Sequence, residues 1–151
     1  MTLPTTVRLV PLSLLLAACL GSAPASAQDA LTKAAQEPGA ATTPSGLVYR
    51  SLKDGTGPSP QATDTVRVHY RGTFPDGREF DSSYKRGKPT SFPLNRVIKC
   101  WTEGVQRIKV GGKAKLTCPA AIAYGDRGAG SDIPPGATLQ FEVELLGIEG
   151  K

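Results

Sequence analysis

Histidine is almost absent from this sequence, which contains a single one, His69, among 151 residues. A serine hydrolase triad needs a histidine base, and His69 falls on the polar face of a predicted strand. The serine pair Ser82 and Ser83 does not stand in a G-x-S-x-G nucleophile motif. The sequence also lacks a C-x-x-C pair, a glycine-rich phosphate loop and a dinucleotide-binding motif. These absences argue against hydrolytic, zinc-dependent and nucleotide-dependent chemistry, and we expect no metal and no other cofactor.

Long hydrophobic runs are absent as well. The longest, Leu9 to Leu20, has 12 residues, whereas about 20 are needed to span a bilayer. It follows the basic Arg8 and precedes an A-S-A sequence, which predicts an export signal over residues 1–27 with cleavage after Ala27. The L-A-A-C sequence ending at Cys19 allows a second interpretation, a lipoprotein signal over 1–18 with a lipidated Cys19. We therefore expect an exported, periplasmic protein, either soluble or anchored to the outer membrane by a lipid, and a membrane contact only if Cys19 is lipidated.

Cysteine is scarce, with three in the chain. Beyond Cys19, the remaining pair is Cys100 and Cys118, an even number in a compartment that favours oxidation. A disulfide between them would close a loop of about 18 residues and contribute roughly 3 kcal/mol. The alternative is two buried thiols. We favour the disulfide.

The net charge is +5, but lysine and arginine are interspersed and no basic run alternates with stacking aromatics. We therefore expect no nucleic-acid partner. Residues 28–45 are rich in alanine, threonine, proline and glutamine, which predicts a flexible linker that buries little. The folded domain is expected over residues 46–151, and the chain is expected to be a monomer.

Alternation of apolar and polar residues predicts the strands of this domain. Val66, Val68 and Tyr70 share one face of a strand, and similar alternation recurs in the segments 113–118 and 138–146. Apolar residues at helical spacing over 97–108 predict one short helix. The segment 123–137 is a long loop rich in glycine and proline, and such loops are usually functional. Together these elements predict an α+β fold.

Aromatic residues stand at the edges of these predicted elements. Tyr70 ends a strand, Phe92 precedes the helix and Tyr124 lies in the long loop. If these side chains converge with the others, they line an apolar pocket. The alternative for each aromatic residue is simple core packing, and this alternative is weakest for Tyr124 and for Phe80, which is followed at once by Asp81.

Several motifs then occur in a familiar order: VHYRGTFPDGREFDSSYKRGKP, FPLNRVIKCWTEGV, GGKAKLTCP, AYGDRG and IPPGATLQFEVELL. Together, from Gly46 to Ile148, they resemble the FKBP-type peptidyl-prolyl cis-trans isomerases, and the exported N-terminus resembles bacterial envelope members of that family. The resemblance implies a twisted five- to six-stranded antiparallel sheet wrapped around one short helix. It implies an isomerase that rotates X-Pro bonds without a cofactor in exported, proline-containing polypeptides. It also implies binding of macrolide inhibitors of the tacrolimus and rapamycin type.

The resemblance also implies site residues. It implies that the catalytic pocket is formed by Tyr70, Phe80, Asp81, Trp101, Tyr124 and Phe141. It also implies a second group of residues that bind the substrate or orient the residues of the pocket. These are Phe92, Val97, Ile98, Ile133 and Arg86. Among these, Trp101 would form the floor, Arg86 would orient Asp81, and Ile133 would come from a flap over the mouth. The Ile98 backbone N–H and the Tyr124 hydroxyl would bond carbonyls of the peptide.

Two positions depart from the common family pattern. Cys100 replaces a glycine that usually precedes the tryptophan, which fits a disulfide to Cys118. Asp132 is more polar than the usual flap residue, which leaves substrate preference and macrolide affinity open. Two other functions are compatible with the sequence: a module that binds unfolded clients with little turnover, and a surface interaction protein displayed on a lipid anchor.

Overall fold

A computed structural model describes residues 25–150, with side chains from residue 27 onward. Residues 1–24, including Cys19 and most of the predicted export signal, lie outside the described residues. Within 25–150, no helix combines the length and the hydrophobicity needed to cross a bilayer.

The described residues form one antiparallel sheet of seven strands with three helices. The strands are β1 (Ala40–Thr42), β2 (Val48–Lys53), β3 (Thr65–Thr73), β4 (Glu79–Ser82), β5 (Thr90–Pro93), β6 (Lys113–Cys118) and β7 (Leu139–Ile148). The helices are α1 (Ala25–Gln36), the single-turn α2 (Ser83–Arg86) and α3 (Lys99–Val105). The strand order is β1-β2-β6-β7-β3-β4, and β5 also pairs with β3. The predicted α+β architecture is confirmed, with more strands than expected.

The inner faces of the strands follow the predicted alternation. On β3, Val66 and Val68 are fully buried, while Arg67 on the outer face is exposed. Strand β7 lies between β3 and β6 and contributes Leu139, Phe141, Val143 and Leu145 to the same core. Strand β7 is therefore hydrogen-bonded to a neighbouring strand on each side, at the centre of the sheet that supports the site.

Helix α3 packs its apolar side onto this sheet but is shorter than predicted. It ends at Val105, and the chain continues through tight turns in which Ile108 N–H bonds to the Val105 carbonyl at 3.1 Å. Ile108 is still buried, at 2% exposure. Gly104 faces β6: a Cβ there would lie 2.7 Å from the Leu116 Cδ2 atom, so the glycine allows the helix to approach the sheet closely.

The disulfide between Cys100 on α3 and Cys118 at the end of β6 is confirmed, with the two Cα atoms 5.9 Å apart. Both cysteines are fully buried. The bridge ties helix α3 to the sheet one residue before Trp101.

The structure differs from the flexible linker expected over residues 28–45. Residues 28–36 belong to α1, and residues 40–42 form β1, which extends the sheet beside β2. Ala30 and Ala34, one helical turn apart, are 7% and 4% exposed. Glu37 then forms ion pairs with Arg50 and Lys115, each at 2.8 Å. Small alanine side chains and a paired carboxylate thus hold this segment on the sheet without large apolar groups.

Candidate active site

An open cavity of about 480 Å³ lies where the turn before α3, the helix itself and the inner face of the sheet meet. Aromatic and aliphatic side chains dominate its walls. It is lined by Tyr70, Phe80, Asp81, Phe92, Arg96, Val97, Ile98, Trp101, Tyr124 and Phe141.

Trp101 forms the floor because α3 buries its indole ring against three other rings. The ring centroids of Tyr70, Phe92 and Phe141 lie 5.2, 5.5 and 5.5 Å from it, all in edge-on geometry. Edge-on contacts are a preferred arrangement of aromatic quadrupoles. Trp101 is 4% exposed, and its indole N–H has no hydrogen-bond partner within the described residues. The floor is therefore a closely packed aromatic surface.

Phe80 reaches the cavity because its neighbour across the sheet is a glycine. A Cβ at Gly72 would lie 2.5 Å from the Phe80 Cζ atom and 3.1 Å from the Phe141 Cε1 atom. Any larger residue at position 72 would push these two rings apart. With glycine there, the Phe80 and Phe141 centroids lie 5.6 Å apart, and the two rings form one continuous wall.

Asp81 is the polar element of that wall. One carboxylate oxygen accepts a short hydrogen bond from the Tyr70 hydroxyl, and the other pairs with the Arg86 guanidinium at 2.5 Å. Arg86 also donates to the Tyr70 hydroxyl at 3.0 Å. Burial acts to raise the pKa of Asp81, but the hydrogen bonds from Tyr70 and Arg86 outweigh it and hold the pKa below the ordinary value of 3.8. Asp81 is therefore an ionised, fully engaged carboxylate at neutral pH, and a poor general acid.

The adjacent serines have structural roles. Ser82 caps α2 by accepting a hydrogen bond from the Lys85 N–H at 3.3 Å, and Gly87 ends the turn at a φ of 70°. The fully buried Ser83 accepts a hydrogen bond from the Tyr70 N–H at 2.7 Å. His69, on the outer face as predicted, contacts the same hydroxyl through Nδ1 at 2.9 Å and stacks on Tyr84. This turn carries Arg86 to Asp81, and its serines shape the turn as expected.

Besides the buried indole N–H of Trp101, two hydrogen-bond donors at the cavity have no partner among the described residues. Within residues 25–150, neither the Ile98 N–H nor the Tyr124 hydroxyl forms a hydrogen bond. Tyr124 is 38% exposed. Burial of its ring, and secondarily the negative charge of Asp81, raise the pKa of the Tyr124 phenol, so it keeps its proton. Both groups can therefore donate to a bound carbonyl.

The structure brings nearly all of the predicted pocket residues together. Tyr70, Phe80, Asp81, Phe92, Val97, Ile98, Trp101, Tyr124 and Phe141 line one cavity, and Arg86 contacts Asp81 from behind. Ile133 differs: it is 5% exposed, exchanges backbone hydrogen bonds with Ala129, and does not line the cavity.

Asp132, beside Ile133, is exposed and also lies outside the cavity lining. Arg96 also lines the cavity but is absent from the prediction, although its neighbours Val97 and Ile98 are in it. Its place directly before these two residues is the signal that could have found it.

In the described residues, helix α3 packs on an antiparallel sheet and an aromatic cleft lies between them, an arrangement of the α+β class. The family profile described as FKBP-type peptidyl-prolyl cis-trans isomerase matches residues 57–146. The chain therefore belongs to the FKBP-type peptidyl-prolyl cis-trans isomerase family.

Individual relatives agree with this assignment. The chain is 54% identical over 122 residues to the FKBP-type peptidyl-prolyl cis-trans isomerase FkpA of Aeromonas hydrophila, an alignment covering 81% of this chain and 45% of that protein. It is 51% identical to FkpA of Escherichia coli K12 over 117 residues, which cover 78% of this chain and 43% of the relative. The chain thus spans about half the length of these relatives.

Solved structures share the fold. The crystal structure of FkpA from Escherichia coli superposes with a TM-score of 0.80 at 49% identity, covering 82% of this chain and 58% of that one. A peptidyl-prolyl cis-trans isomerase from Pseudomonas syringae pv. tomato superposes with a TM-score of 0.76 at 36% identity, covering 82% and 90% of the two chains.

Proposed function

We propose that this chain is a peptidyl-prolyl cis-trans isomerase that accelerates rotation about X-Pro bonds in exported polypeptides. The observation that carries this proposal is the cavity itself: aromatic walls, and a single carboxylate, Asp81, whose oxygens are both engaged by Tyr70 and Arg86. Such a cavity offers neither an activated nucleophile nor a general base, but X-Pro rotation requires neither.

The physical chemistry of the peptide bond explains why this cavity suits the reaction. Resonance opposes rotation with a barrier of about 18–20 kcal/mol, and free X-Pro bonds isomerise in about 10–100 s. The twisted bond has lost its resonance and is less dipolar than the planar one. A water-poor, apolar site therefore favours the twisted state relative to the planar ground state, and about 1.4 kcal/mol of this preference gives a tenfold faster rotation.

The unpaired donors give the substrate an orientation. In this proposal the proline ring lies against Trp101, while the Ile98 N–H and the Tyr124 hydroxyl donate to carbonyls of the bound peptide. Asp81, with Tyr70 and Arg86, forms the polar wall, and Phe80, Phe92, Val97 and Phe141 exclude water. Ile133 supports the loop that carries Tyr124 instead of covering the mouth.

The clients we propose are unfolded, proline-containing polypeptides outside the cytoplasm, and macrolides of the tacrolimus and rapamycin type are proposed inhibitors. Export and the periplasmic location rest on residues 1–27. The two processing sites have different consequences, because α1 begins at Ala25. Cleavage before Cys19 leaves α1 whole, whereas cleavage after Ala27 removes its first three residues. Mass spectrometry of the exported protein distinguishes a lipidated Cys19 from a soluble product.

The test is the cis-to-trans isomerisation of a short acetylated peptide with leucine before proline. We expect macrolide-sensitive acceleration by the full chain, reduced about tenfold or more by Phe141→Ala and Asp81→Ala. Leu145→Ala is the matched control for Phe141→Ala, because Leu145 lies on the same strand and face, is fully buried, and does not line the cavity. It should lower stability without lowering the rate of the folded protein.

No acceleration by a folded, oxidised chain would overturn the proposal. The cavity would then be assigned to a module that binds unfolded clients with little turnover.

A further inference from the structure

Arg96 is an uncompensated positive charge in the lining of the cavity. It is exposed, and within the described residues its guanidinium forms no hydrogen bond and no ion pair. By contrast, Arg86, the other guanidinium of this region, is engaged by Asp81 and Tyr70.

The backbone that carries Arg96 is firmly held. Arg96 ends the 3₁₀ turn Leu94–Arg96, in which Leu94 is fully buried. The Leu94 carbonyl accepts a hydrogen bond from the Thr102 hydroxyl at 2.5 Å, and the Leu94 N–H donates to the Asp64 carbonyl at 3.0 Å. The guanidinium is thus carried by a backbone segment whose position at the cavity edge is set by these hydrogen bonds.

The remaining charges of the cavity do not cancel Arg96. Asp81 is the only other charged residue in the lining of this cavity, and Arg86 already neutralises it at 2.5 Å. The lining is otherwise uncharged. A bound peptide therefore meets an apolar floor with one exposed positive charge at its edge.

We propose that Arg96 is a specificity-determining residue that selects proline-containing segments with an acidic side chain immediately before the proline. The inference rests on the proposed isomerase function and refines it by naming a substrate class. A glutamate or aspartate immediately before the proline pairs with the guanidinium, while the proline ring occupies the aromatic floor. A lysine at the same place is repelled.

The experiment compares three acetylated peptides that differ only before the proline, with glutamate, glutamine or lysine there. Isomerisation is followed by NMR exchange, which needs no coupled protease. For the wild-type chain we expect kcat/KM for the glutamate peptide to exceed that for the glutamine peptide about threefold to fivefold, the size of an exposed ion pair. The ratio should fall toward one at high salt. The preference for the glutamate peptide should disappear in Arg96→Gln and persist in Arg96→Lys. In Arg96→Glu the lysine peptide should become the preferred substrate.

Arg67→Gln is the matched control, since Arg67 is exposed on the outer face of β3 and its loss changes the net charge equally. It should keep the wild-type ratio. Equal rates with the glutamate and glutamine peptides in the wild type, or a preference that survives in Arg96→Gln, would overturn the inference.

A binding measurement tests the role of Arg96 independently of whether the chain is an isomerase. Trp101 is the only tryptophan of the chain and lines the cavity, so its fluorescence reports peptide binding without turnover. If no peptide is isomerised, the isomerase proposal fails. The ratio of Kd values for the glutamate and glutamine peptides then decides the role of Arg96 by the same criteria.

Discussion

At the scale of a single residue, Asp81 shows how the site stabilises an ionised carboxylate beside aromatic side chains. Its carboxylate is engaged on both oxygens, by Tyr70 and by Arg86. Burial acts to raise the pKa, the two hydrogen bonds lower it, and the net shift is downward. A carboxylate with a lowered pKa in the folded state stabilises the fold above its unfolded pKa, and this contribution is lost as the pH falls through the folded value. Between neutral pH and about pH 5, Asp81 should therefore introduce no pH dependence.

Replacing Arg86 tests this balance. In Arg86→Gln the burial of Asp81 is opposed by fewer hydrogen bonds, so we expect its pKa to rise toward or above the ordinary value of 3.8. The measurement is a ¹³C NMR titration of the Asp81 carboxyl carbon in both proteins. Asp76 is the internal control, because its pKa is held low by Arg78 and should not move. An unchanged Asp81 titration would show that Arg86 does not orient or stabilise this carboxylate.

At the scale of elements, helix α1 is held with little apolar burial and by partners that are distant in the sequence. Its two buried side chains are alanines, and Glu37 at its end joins Arg50 on β2 to Lys115 on β6. The hydrogen bond from Lys115 is the main reason that the pKa of Glu37 lies below 4.5; burial opposes it, and Arg50 adds to it. The carboxylate thus fastens α1 to two strands at once.

Glu37→Gln should therefore weaken the fold at neutral pH by about 0.5–1 kcal/mol, the upper range for partly exposed pairs. Because the folded pKa of Glu37 is lowered, its contribution is present above the ordinary value of 4.5 and disappears as the pH falls through the folded pKa. The measurement is urea unfolding of both proteins at neutral and strongly acidic pH. Asp132→Asn, which removes one exposed negative charge, is the control and should have little effect. A difference between Glu37→Gln and wild type that persists in strong acid would contradict this account.

The elements also show what could be predicted from the sequence. Alternation in β3, β6 and β7 predicted their inner faces, because only one face of each strand packs against the core and can bury large apolar side chains. Helix α1 was missed since Ala30 and Ala34 carry little hydrophobic signal, and the partners of Glu37 lie 13 and 78 residues away. Ile133 turns inward because its backbone bonds to Ala129. Such loop geometry is not encoded in residue type alone.

At the scale of the whole molecule, the disulfide and the core act on different states of the chain. The core stabilises the folded protein through burial, whereas a bridge over 18 residues mainly restricts the unfolded chain. The bridge also joins α3 to β6 one residue from Trp101. Yet α3 is held by other contacts as well: Trp101 and Val105 are buried in the core, and Thr102 bonds to the turn before it. The cavity should therefore keep its shape without the bridge as long as the chain stays folded.

Reduction should accordingly lower the free energy of unfolding by about 3 kcal/mol, with a melting temperature lower by roughly 10–15 °C. The double variant Cys100→Ala with Cys118→Ala should melt near the reduced protein and show no response to reductant, which separates the bridge from other effects of the reagent. Below the melting transition, the reduced and oxidised proteins should isomerise the leucine-proline peptide at similar rates, because the aromatic floor is intact in both. A reduced protein that stays fully folded but loses its activity would contradict the view that the disulfide acts mainly on the unfolded chain. The disulfide would then be required to hold Trp101 in the geometry that acts on the substrate.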